Sequence, residues 1–247
     1  MTGVLDEKDY DAPKEIIDGL FRERKKLLTG FGGLKKVDKK LLKDAEIPSH
    51  VAISLSGEPT MYKELDKLIL ELKSRKEIKT IFLVTNGLEP EMLKKLKEHY
   101  ALPTQLYLSL VAPNEKLHKT INRPKIKGSW EKLMKTIALL PKLDCRKVIR
   151  FTLIKGLNDS EKYIDEFVKL FESSKADFVE VKAYMYLGYS RKTMTIDNMP
   201  SFEECLSYAK EFEKFSKDFK ISDICKPSRI ILLKNKNSKY NNFIINK

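Results

Sequence analysis

Polar residues follow five short apolar segments of this sequence, at the positions where the strands of a sheet would end. They supply hydroxyls, amides, a carboxylate, two lysines and a glycine: Ser56, Gly57, Glu58, Asn86, Ser109, Thr152, Lys155 and Lys182. Gathered in one pocket, such groups suit a small zwitterionic ligand or a nucleoside. Each also has an ordinary structural explanation, because Ser-Gly-Glu-Pro and Thr-Asn-Gly occur in turns and a strand lysine can extend its stem to solvent.

The elements that would position these residues alternate along the chain. Apolar runs predict strands at residues 50–55, 79–84, 105–110, 148–154, 178–182 and 229–233. Helices are predicted at residues 14–29, 37–45, 62–74, 89–99, 130–140, 161–172 and 202–215. Near-continuous apolar strands joined by helices are typical of a parallel sheet covered by helices. We expect a barrel or partial barrel rather than a doubly wound sheet, with the chemistry where strands end.

Three regions are expected along the chain. Residues 1–47 form an N-terminal helical segment, residues 48–233 the β/α barrel, and residues 234–247 a basic flexible tail. The sequence has no GxGxxG after a strand and no GxxxxGK[ST], which argues against dinucleotide and P-loop phosphate sites.

Charge and cysteine content restrict the partners and the compartment. The chain has 48 Lys and Arg against 35 Asp and Glu, a net charge of +13. Such an excess attracts nucleic acid or anionic membrane, although a lysine-rich solvated surface explains it equally well. Cys145, Cys205 and Cys225 are too far apart for a disulfide framework or a CxxC metal pair, and they fit a reducing cytoplasm. No apolar run is long enough to span a membrane.

Longer stretches of the sequence carry a more specific pattern. They are HVAISLSGEPTMY (50–62), FLVTNG (82–87), LPTQLYLSLVAPN (102–114), INRPKIKGSWEKL (121–133), VIRFTLIKGLN (148–158) and VKAYMYLGYSRKTMTIDNMP (181–200). The Ser-Gly-Glu-Pro motif resembles the GGEP motif of the radical S-adenosylmethionine (SAM) superfamily, which holds the methionine amino group. The whole set resembles the archaeal branch of the tRNA 4-demethylwyosine synthases, over about residues 8–233.

The resemblance implies a fold and an activity. The fold is a partial TIM-type (β/α)6 barrel of the radical SAM type, and the activity is that of a tRNA-modifying lyase. Members convert N1-methylguanosine-37 of tRNA(Phe) to 4-demethylwyosine with pyruvate, using SAM, a 4Fe–4S cluster and an electron donor. By motif position, the ligand-binding residues contact the methionine part (Ser56, Gly57, Glu58), the ribose (Asn86, Ser109), and the adenine or the reacting bases (Thr152).

The resemblance also implies that a lysine handles pyruvate, and two lysines are candidates. Lys155 and Lys182 both lie at strand ends, and the sequence does not choose between them. A lysine that forms a Schiff base needs its pKa lowered by burial or by a nearby cation. Arg150 could contribute if its side chain points into the same pocket.

Tyrosines and cations alternate after the fifth predicted strand. They are Tyr184, Tyr186, Tyr189, Arg191 and Lys192. Aromatic faces beside cations hold unstacked RNA bases and their phosphates, so this segment is the expected tRNA-binding surface. Any one of the tyrosines could equally pack in the core.

The sequence departs from the family pattern in one respect. The CxxxCxxC loop that follows the first barrel strand is not present, so no metal ligand is predicted and no cluster can be held by this sequence. Three explanations are open: a fragment begun at an internal Met, a separate chain that completes the barrel, or a homologue that kept tRNA binding and lost catalysis. The sequence as given predicts a barrel without its first strand and its cluster loop, in which the strand at residues 50–55 keeps one unpaired edge unless something covers it.

Three functions therefore compete. The first is the radical tRNA-modifying lyase, or the greater part of one. The second is a non-catalytic tRNA-binding protein on the same barrel. The third is a lysine-dependent aldolase-type barrel that uses Lys155 or Lys182.

Overall fold

The computed structural model describes residues 10–55 and 57–245. Within these residues the strands are β1 (His50–Ile53), β2 (Thr80–Thr85), β3 (Gln105–Leu110), β4 (Arg146–Leu153), β5 (Phe178–Ala183), β6 (Phe219–Cys225) and β7 (Ile230–Asn235). The helices are α1 (Pro13–Leu28), α2 (Lys39–Glu46), α3 (Leu65–Ser74), α4 (Pro90–Glu98), α5 (Glu115–Asn122), α6 (Ser129–Leu139), α7 (Ile164–Ser173) and α8 (Phe202–Phe215). No helix of this described part is both long and apolar enough to cross a membrane.

The strands form one sheet in the order β1-β2-β3-β4-β5-β7-β6. β1 to β5 run parallel, whereas β7 pairs antiparallel with both β5 and β6. Among the described strands, β1 and β6 each pair on one side only, so hydrogen bonds do not close the sheet. The predicted parallel α/β sheet is confirmed. The sequence did not indicate β6 or α5, and the final antiparallel hairpin is a correction to an otherwise parallel arrangement.

The two faces of the sheet differ in burial. On β3, Leu106, Leu108 and Leu110 are each 1% exposed and belong to the core under the helices, whereas Tyr107 and Ser109 between them are half-buried. Side chains alternate between faces along a strand, so the polar positions share the face that the helices leave uncovered. We call this the open face. Its existence favours the expected barrel type over a doubly wound sheet, in which helices cover both faces.

The unpaired edge of β1 borders an apolar groove. α1 packs on α3 and leaves a space of about 600 Å³ between itself and β1, lined by Leu20, Val51 and Ile53 among others. The prediction of an unpaired strand edge at this place is therefore confirmed within the described residues.

The C-terminal residues are held against the sheet. β7 continues to Asn235, so the expected boundary of a tail at residue 234 lies inside a strand. Beyond it, Ser238 Oγ donates to Asp177 Oδ1 at 2.8 Å, and Arg146 Nη2 donates to the carbonyl of Asn242 at 2.9 Å. The buried Arg146 guanidinium needs acceptors, and the tail supplies them. Residues 238–242 thus contact the body of the sheet, and the flexibility of the tail stays a prediction.

Candidate functional site

Glu58 joins the loop after β1 to the end of β2. Its Oε1 accepts hydrogen bonds from Thr60 N at 3.1 Å, Thr60 Oγ1 at 2.6 Å and Thr85 Oγ1 at 2.6 Å, and its Oε2 accepts one from Asn86 N at 2.8 Å. Thr60 and Thr85 are each 2% exposed, so their hydroxyls need this partner. Four donors thus occupy the carboxylate, and the structure gives Glu58 a positioning role.

The backbone beside Glu58 is bare. Gly57 has a φ of +80°, and a Cβ placed on it would meet no atom within 4 Å among the described residues. A backbone without a side chain in a left-handed conformation can approach a ligand closely. Ser56, the first residue of the predicted motif, lies outside the described residues.

The turn after β2 has a structural requirement of its own. Gly87 has a φ of +75°, and a Cβ on it would lie 2.5 Å from Leu108 Cδ1. Its carbonyl accepts a hydrogen bond from Thr136 Oγ1 at 2.7 Å, which fixes α6 to the end of β2. Asn86 is exposed beside it and accepts a hydrogen bond from Leu88 N at 2.9 Å. The side-chain amide of Asn86 therefore lies on a rigid turn at the carboxyl edge of the sheet, as predicted. The carboxyl edge is the edge at which the parallel strands β1 to β5 end.

A row of three polar residues crosses the open face. Ser109, Arg150 and Glu180 are register partners on β3, β4 and β5. Arg150 Nε lies 3.3 Å from Glu180 Oε1, and the guanidinium lies 4.6 Å from the centre of the Tyr107 ring. Arg150 Nε and Glu180 Oε1 are buried without a hydrogen-bond partner in the described part of the chain, so the pair is in ionic contact but not aligned for a hydrogen bond. Burial and then the Glu180 carboxylate raise the pKa of Tyr107.

Lys182 lies one row nearer the carboxyl edge, with Thr152 as its register partner on β4. Lys182 and Glu180 are two residues apart on β5, so both side chains project from the open face. Lys182 is half-buried, and among the described residues it forms no hydrogen bond or ion pair. Its amine therefore has no partner among the described residues and lies on the same face as Arg150, one row nearer the carboxyl edge.

Lys155 is placed differently. It is exposed and forms an ion pair with Glu204 of α8, on the side of the sheet that the helices cover. The hydrogen bond with Glu204, followed by the charge of that carboxylate, raises the pKa of Lys155. An amine held protonated is a poor nucleophile. The structure thus separates the two lysines that the sequence could not.

A buried amide holds the carboxyl ends of β3 and β4 together. Asn158 is 0% exposed, and its Oδ1 accepts a hydrogen bond from Ile154 N at 2.6 Å. Its Nδ2 donates to the carbonyls of Val111 and Thr152 at 2.8 and 2.9 Å. The sequence analysis noted Asn158 only as part of a strand end. The sequence feature that indicates this role is the Gly-Leu-Asn turn directly after a strand. An asparagine side chain in such a turn can form hydrogen bonds with backbone groups that have no other partner.

The segment of tyrosines and cations begins at the carboxyl edge, because Tyr184 N donates to Leu153 O at the end of β4 at 2.8 Å. Tyr184 is only 7% exposed, and its hydroxyl lies 2.8 Å from Ser190 Oγ, so its ring anchors the segment and offers no open face. Tyr189 is 78% exposed, with Lys192 Nζ 4.6 Å from its ring centre.

The second ring and cation pair has the same geometry. The Arg191 guanidinium lies 5.1 Å from the centre of the Tyr186 ring, and Arg191 Nε donates to the Tyr186 carbonyl at 3.2 Å. Four of the five predicted RNA-binding residues therefore form two ring and cation pairs, in which Tyr189, Arg191 and Lys192 are exposed and Tyr186 is half-buried. Tyr184 is buried.

The cysteines do not meet. Burial raises the pKa of Cys145 to about 12 and that of Cys205 to about 11. Cys225 is exposed at the end of β6, where a hydrogen bond with Ser228 lowers its pKa. Within residues 10–55 and 57–245, no three His, Cys, Asp or Glu side chains are grouped so that they could hold a metal ion. This part of the chain does not fit a 4Fe–4S cluster, which needs three thiolates from the protein.

Comparisons with known proteins give matches over most of the chain. The family model of the radical SAM superfamily matches residues 31–168, and that of wyosine base formation matches residues 173–235. The tRNA 4-demethylwyosine synthase of Pyrococcus abyssi is 41% identical over 226 residues, covering 91% of this chain and 64% of that protein. The Methanocaldococcus jannaschii synthase is 37% identical over 238 residues, covering 96% of this chain and 72% of that protein. This chain thus spans less than two thirds of the length of the Pyrococcus relative.

Two solved structures are similar over nearly the whole chain. One is TYW1 with a lysine–pyruvate adduct bound, with a TM-score of 0.84, 34% identity, and coverage of 97% of this chain and 74% of that one. The other is archaeal TYW1, with a TM-score of 0.79, 33% identity, and coverage of 98% and 76%.

Proposed function

This chain belongs to the tRNA 4-demethylwyosine synthase family of the radical SAM superfamily, and we propose that it carries the substrate-binding face of that tRNA-modifying lyase. On this proposal the substrates are pyruvate and N1-methylguanosine-37 of tRNA(Phe), and the product is 4-demethylwyosine. An electron donor and a cytoplasmic location are parts of the same proposal. The observation that carries it is the half-buried, unpaired Lys182 on the open face, beside Thr152 and above the Arg150–Glu180 pair.

Lys182 is the proposed pyruvate-binding residue. Its neutral Nζ attacks the C2 carbonyl of pyruvate, an N–C bond forms, and the oxygen leaves as water once it has gained two protons. Arg150 lies on the same face, where its positive charge attracts the pyruvate carboxylate. The Glu180 carboxylate partly neutralises the charge of Arg150 and keeps the guanidinium in place. A structural relative contains a lysine–pyruvate adduct, which supports the assignment of this chemistry to the family.

The residues for SAM fit at the carboxyl edge. The bare backbone of Gly57, the exposed Asn86, and the open-face hydroxyls of Ser109 and Thr152 offer the polar contacts that a nucleoside with an amino acid group needs. Glu58 holds the loop that presents Gly57. When bound, SAM would supply the radical that takes hydrogen from the methyl group of the nucleoside, once one electron from a reduced 4Fe–4S cluster outside the described residues had cleaved it. This chain's own residues bind the ligand and orient it toward Lys182.

The two ring and cation pairs are the proposed RNA contacts. Tyr189 with Lys192, and Tyr186 with Arg191, present ring faces and positive charge at the edge where the site opens. Such a surface stacks an unpaired base and neutralises its phosphates. The net charge of +13 acts in the same direction over longer distances.

Pyruvate trapping tests the proposal without a cluster. The full chain is incubated with pyruvate and sodium borohydride, and the modified lysine is found by peptide mass spectrometry as the mass increase of one carboxyethyl group. We expect modification at Lys182, its loss in Lys182→Arg, and its persistence in Lys155→Arg. Selective modification of Lys155, or equal modification of many surface lysines, would contradict the assignment.

A second function is favoured by one observation, the lack of grouped thiolates in the described residues. A tRNA-binding protein without catalysis needs the RNA surface but not the reactive amine. It predicts tRNA binding without selective trapping of pyruvate at Lys182. The aldolase-type alternative has no support from the comparisons, since the family matches are to radical SAM proteins.

A further inference from the structure

A segment that comprises most of α5 and the turn before α6 carries concentrated positive charge. Residues 116–127 contain no acid and five cations: Lys116, Lys119, Arg123, Lys125 and Lys127. All five are exposed. We call this segment, residues 116–127, the basic loop.

The basic loop differs from most of the lysine-rich surface in its lack of neutralising partners. Elsewhere many lysines stand beside an acid one helical turn away, as Lys14 does with Asp18 at 2.8 Å. In the basic loop Lys119 pairs with Glu115. The other four cations form no ion pair with any residue that the structure describes. Four uncompensated charges within twelve residues favour a polyanion over a protein surface of mixed charge.

The basic loop stands above the carboxyl edge of the sheet. Thr136 of α6 contacts the Gly87 carbonyl at the end of β2, and α6 then descends toward the start of β4. Ser129, the first residue of α6, precedes Thr136 by seven residues, so it lies about 10 Å above that edge. The basic loop ends just before Ser129. It therefore rises on the same side of the molecule as Lys182 and the exposed tyrosines.

The loop also encloses a concave surface. A groove of about 630 Å³ is lined by Lys119, Arg123, Lys125 and Lys127, with Glu115 and Glu131 on its walls. Glu115 is already paired with Lys119, so the cations exceed the acids even at the groove itself. A groove of this breadth accepts a chain of phosphates more readily than one small anion.

We propose that the basic loop binds the phosphate backbone of tRNA, at a distance from the modified base. This proposal rests on the proposed function, which brings tRNA to the carboxyl edge. The loop belongs to the connection from β3 to β4, and the segment at residues 184–192 follows β5, so the two surfaces belong to neighbouring connections of the sheet. The segment at residues 184–192 holds the target base. The basic loop holds the flanking phosphate backbone and so fixes which nucleotide reaches the site.

The test compares two double charge reversals in the full chain. Lys125→Glu with Lys127→Glu changes the loop, and Lys76→Glu with Lys142→Glu makes the same change of net charge at the opposite edge, before β2 and β4. Binding of unmodified tRNA(Phe) is measured at several salt concentrations, and pyruvate trapping at Lys182 is measured in parallel. We expect the affinity of the loop variant for tRNA to fall by about tenfold or more. The magnitude of the slope of log K, the association constant, against log salt concentration should fall by about 2. The control should keep the wild-type slope to within about 0.5.

Acetylation of lysines in the presence of tRNA gives a second readout. Bound tRNA should protect Lys125 and Lys127 but not Lys76 or Lys142. Equal loss of affinity in both double variants, or equal protection at both edges, would show attraction by total charge and overturn the proposal while leaving the Lys182 chemistry intact. Binding of anionic lipid vesicles through the loop, with tRNA binding unchanged, would assign the loop to another partner. Failure of the wild-type chain to bind any tRNA would overturn the proposed function as well.

Discussion

Arg150 Nε and Glu180 Oε1 lie 3.3 Å apart across β4 and β5, as register partners on the open face of the sheet. The Glu180 side chain is 10% exposed and the Arg150 side chain 30% exposed, so the pair is partly withdrawn from water. A charge in that setting needs its partner, because removing one member leaves the other desolvated and unpaired. The pair therefore stabilises the sheet and fixes a cation near Lys182.

Replacing Glu180 should separate these two roles. Glu180→Gln leaves the Arg150 guanidinium without a counter-charge, and we expect a loss of about 1–3 kcal/mol in the free energy of unfolding. The same change removes the competing carboxylate from the Arg150 guanidinium, so trapping at Lys182 should reach half of its maximum at a lower pyruvate concentration than in the wild type. Urea unfolding and the pyruvate dependence of trapping measure the two effects. Unchanged stability with an unchanged pyruvate dependence would show that the pair has neither role.

The strands that face the site could be predicted because their sequences are apolar runs. β3 was predicted at its observed bounds, and the predicted helix at residues 202–215 is α8. In contrast, β6 carries Lys220 and Asp223 and is exposed along most of its length, so no apolar run marks it. α5 is short and largely polar outside the buried Leu117, and it was missed for the same reason.

Side-chain pairing was harder to predict than strand position. Nothing local to Lys155 shows that it meets Glu204, which is 49 residues away in the chain. Likewise, the Glu58 carboxylate is occupied by donors from β2, and Tyr184 turns inward to Ser190. Such contacts depend on the packing of separate elements, which a pattern of residue types does not contain. Among the described candidates, Lys155 pairs with α8 whereas Lys182 lies on the open face, and the roles of all the candidates remain predictions.

Exposed tyrosines on opposite edges allow a direct test of base stacking. Tyr189 is 78% exposed beside Lys192, and Tyr100 is 86% exposed after α4, far from the carboxyl edge. We expect Tyr189→Ala to weaken tRNA(Phe) binding by about 1–3 kcal/mol, because one stacked base loses its platform. Tyr100→Ala is the control and should bind as the wild type does. Filter binding at fixed salt measures both, and equal effects would contradict stacking at Tyr189.

Two glycines with similar backbone angles should respond differently to alanine. Gly57→Ala places a methyl group in open space at a φ of +80°, so the loss of stability should be about 1–2 kcal/mol. Gly87→Ala places it 2.5 Å from Leu108 Cδ1 at a φ of +75°, which adds overpacking of about 1–3 kcal/mol.

Ligand binding should rank the same two variants in the opposite order. Gly57→Ala should reduce SAM binding measured by calorimetry, because the added methyl group obstructs the bare backbone. Folded Gly87→Ala protein at low temperature should retain more of that binding. If Gly57→Ala bound SAM with unchanged affinity, the loop would not be the methionine-binding edge.

His118 should make stability depend on pH. It is 2% exposed, with Nε2 3.1 Å from Ser129 Oγ and Nδ1 3.1 Å from Asn122 Nδ2, and its ring centre lies 5.6 Å from that of Trp130. Burial lowers the pKa of His118, and the nearby charges of Glu115 and Lys119 act in opposite directions. The folded chain therefore binds a proton at His118 less readily than the unfolded chain does.

The sign of the effect follows from this difference. Stability from the neutral imidazole is present above the unfolded pKa of about 6.5 and is lost as pH falls through the lower pKa of the folded state. Urea unfolding between pH 7.5 and pH 4.5 should show a smaller loss of stability for His118→Gln than for the wild type. A His118→Gln profile parallel to the wild type would mean that His118 does not titrate with unfolding.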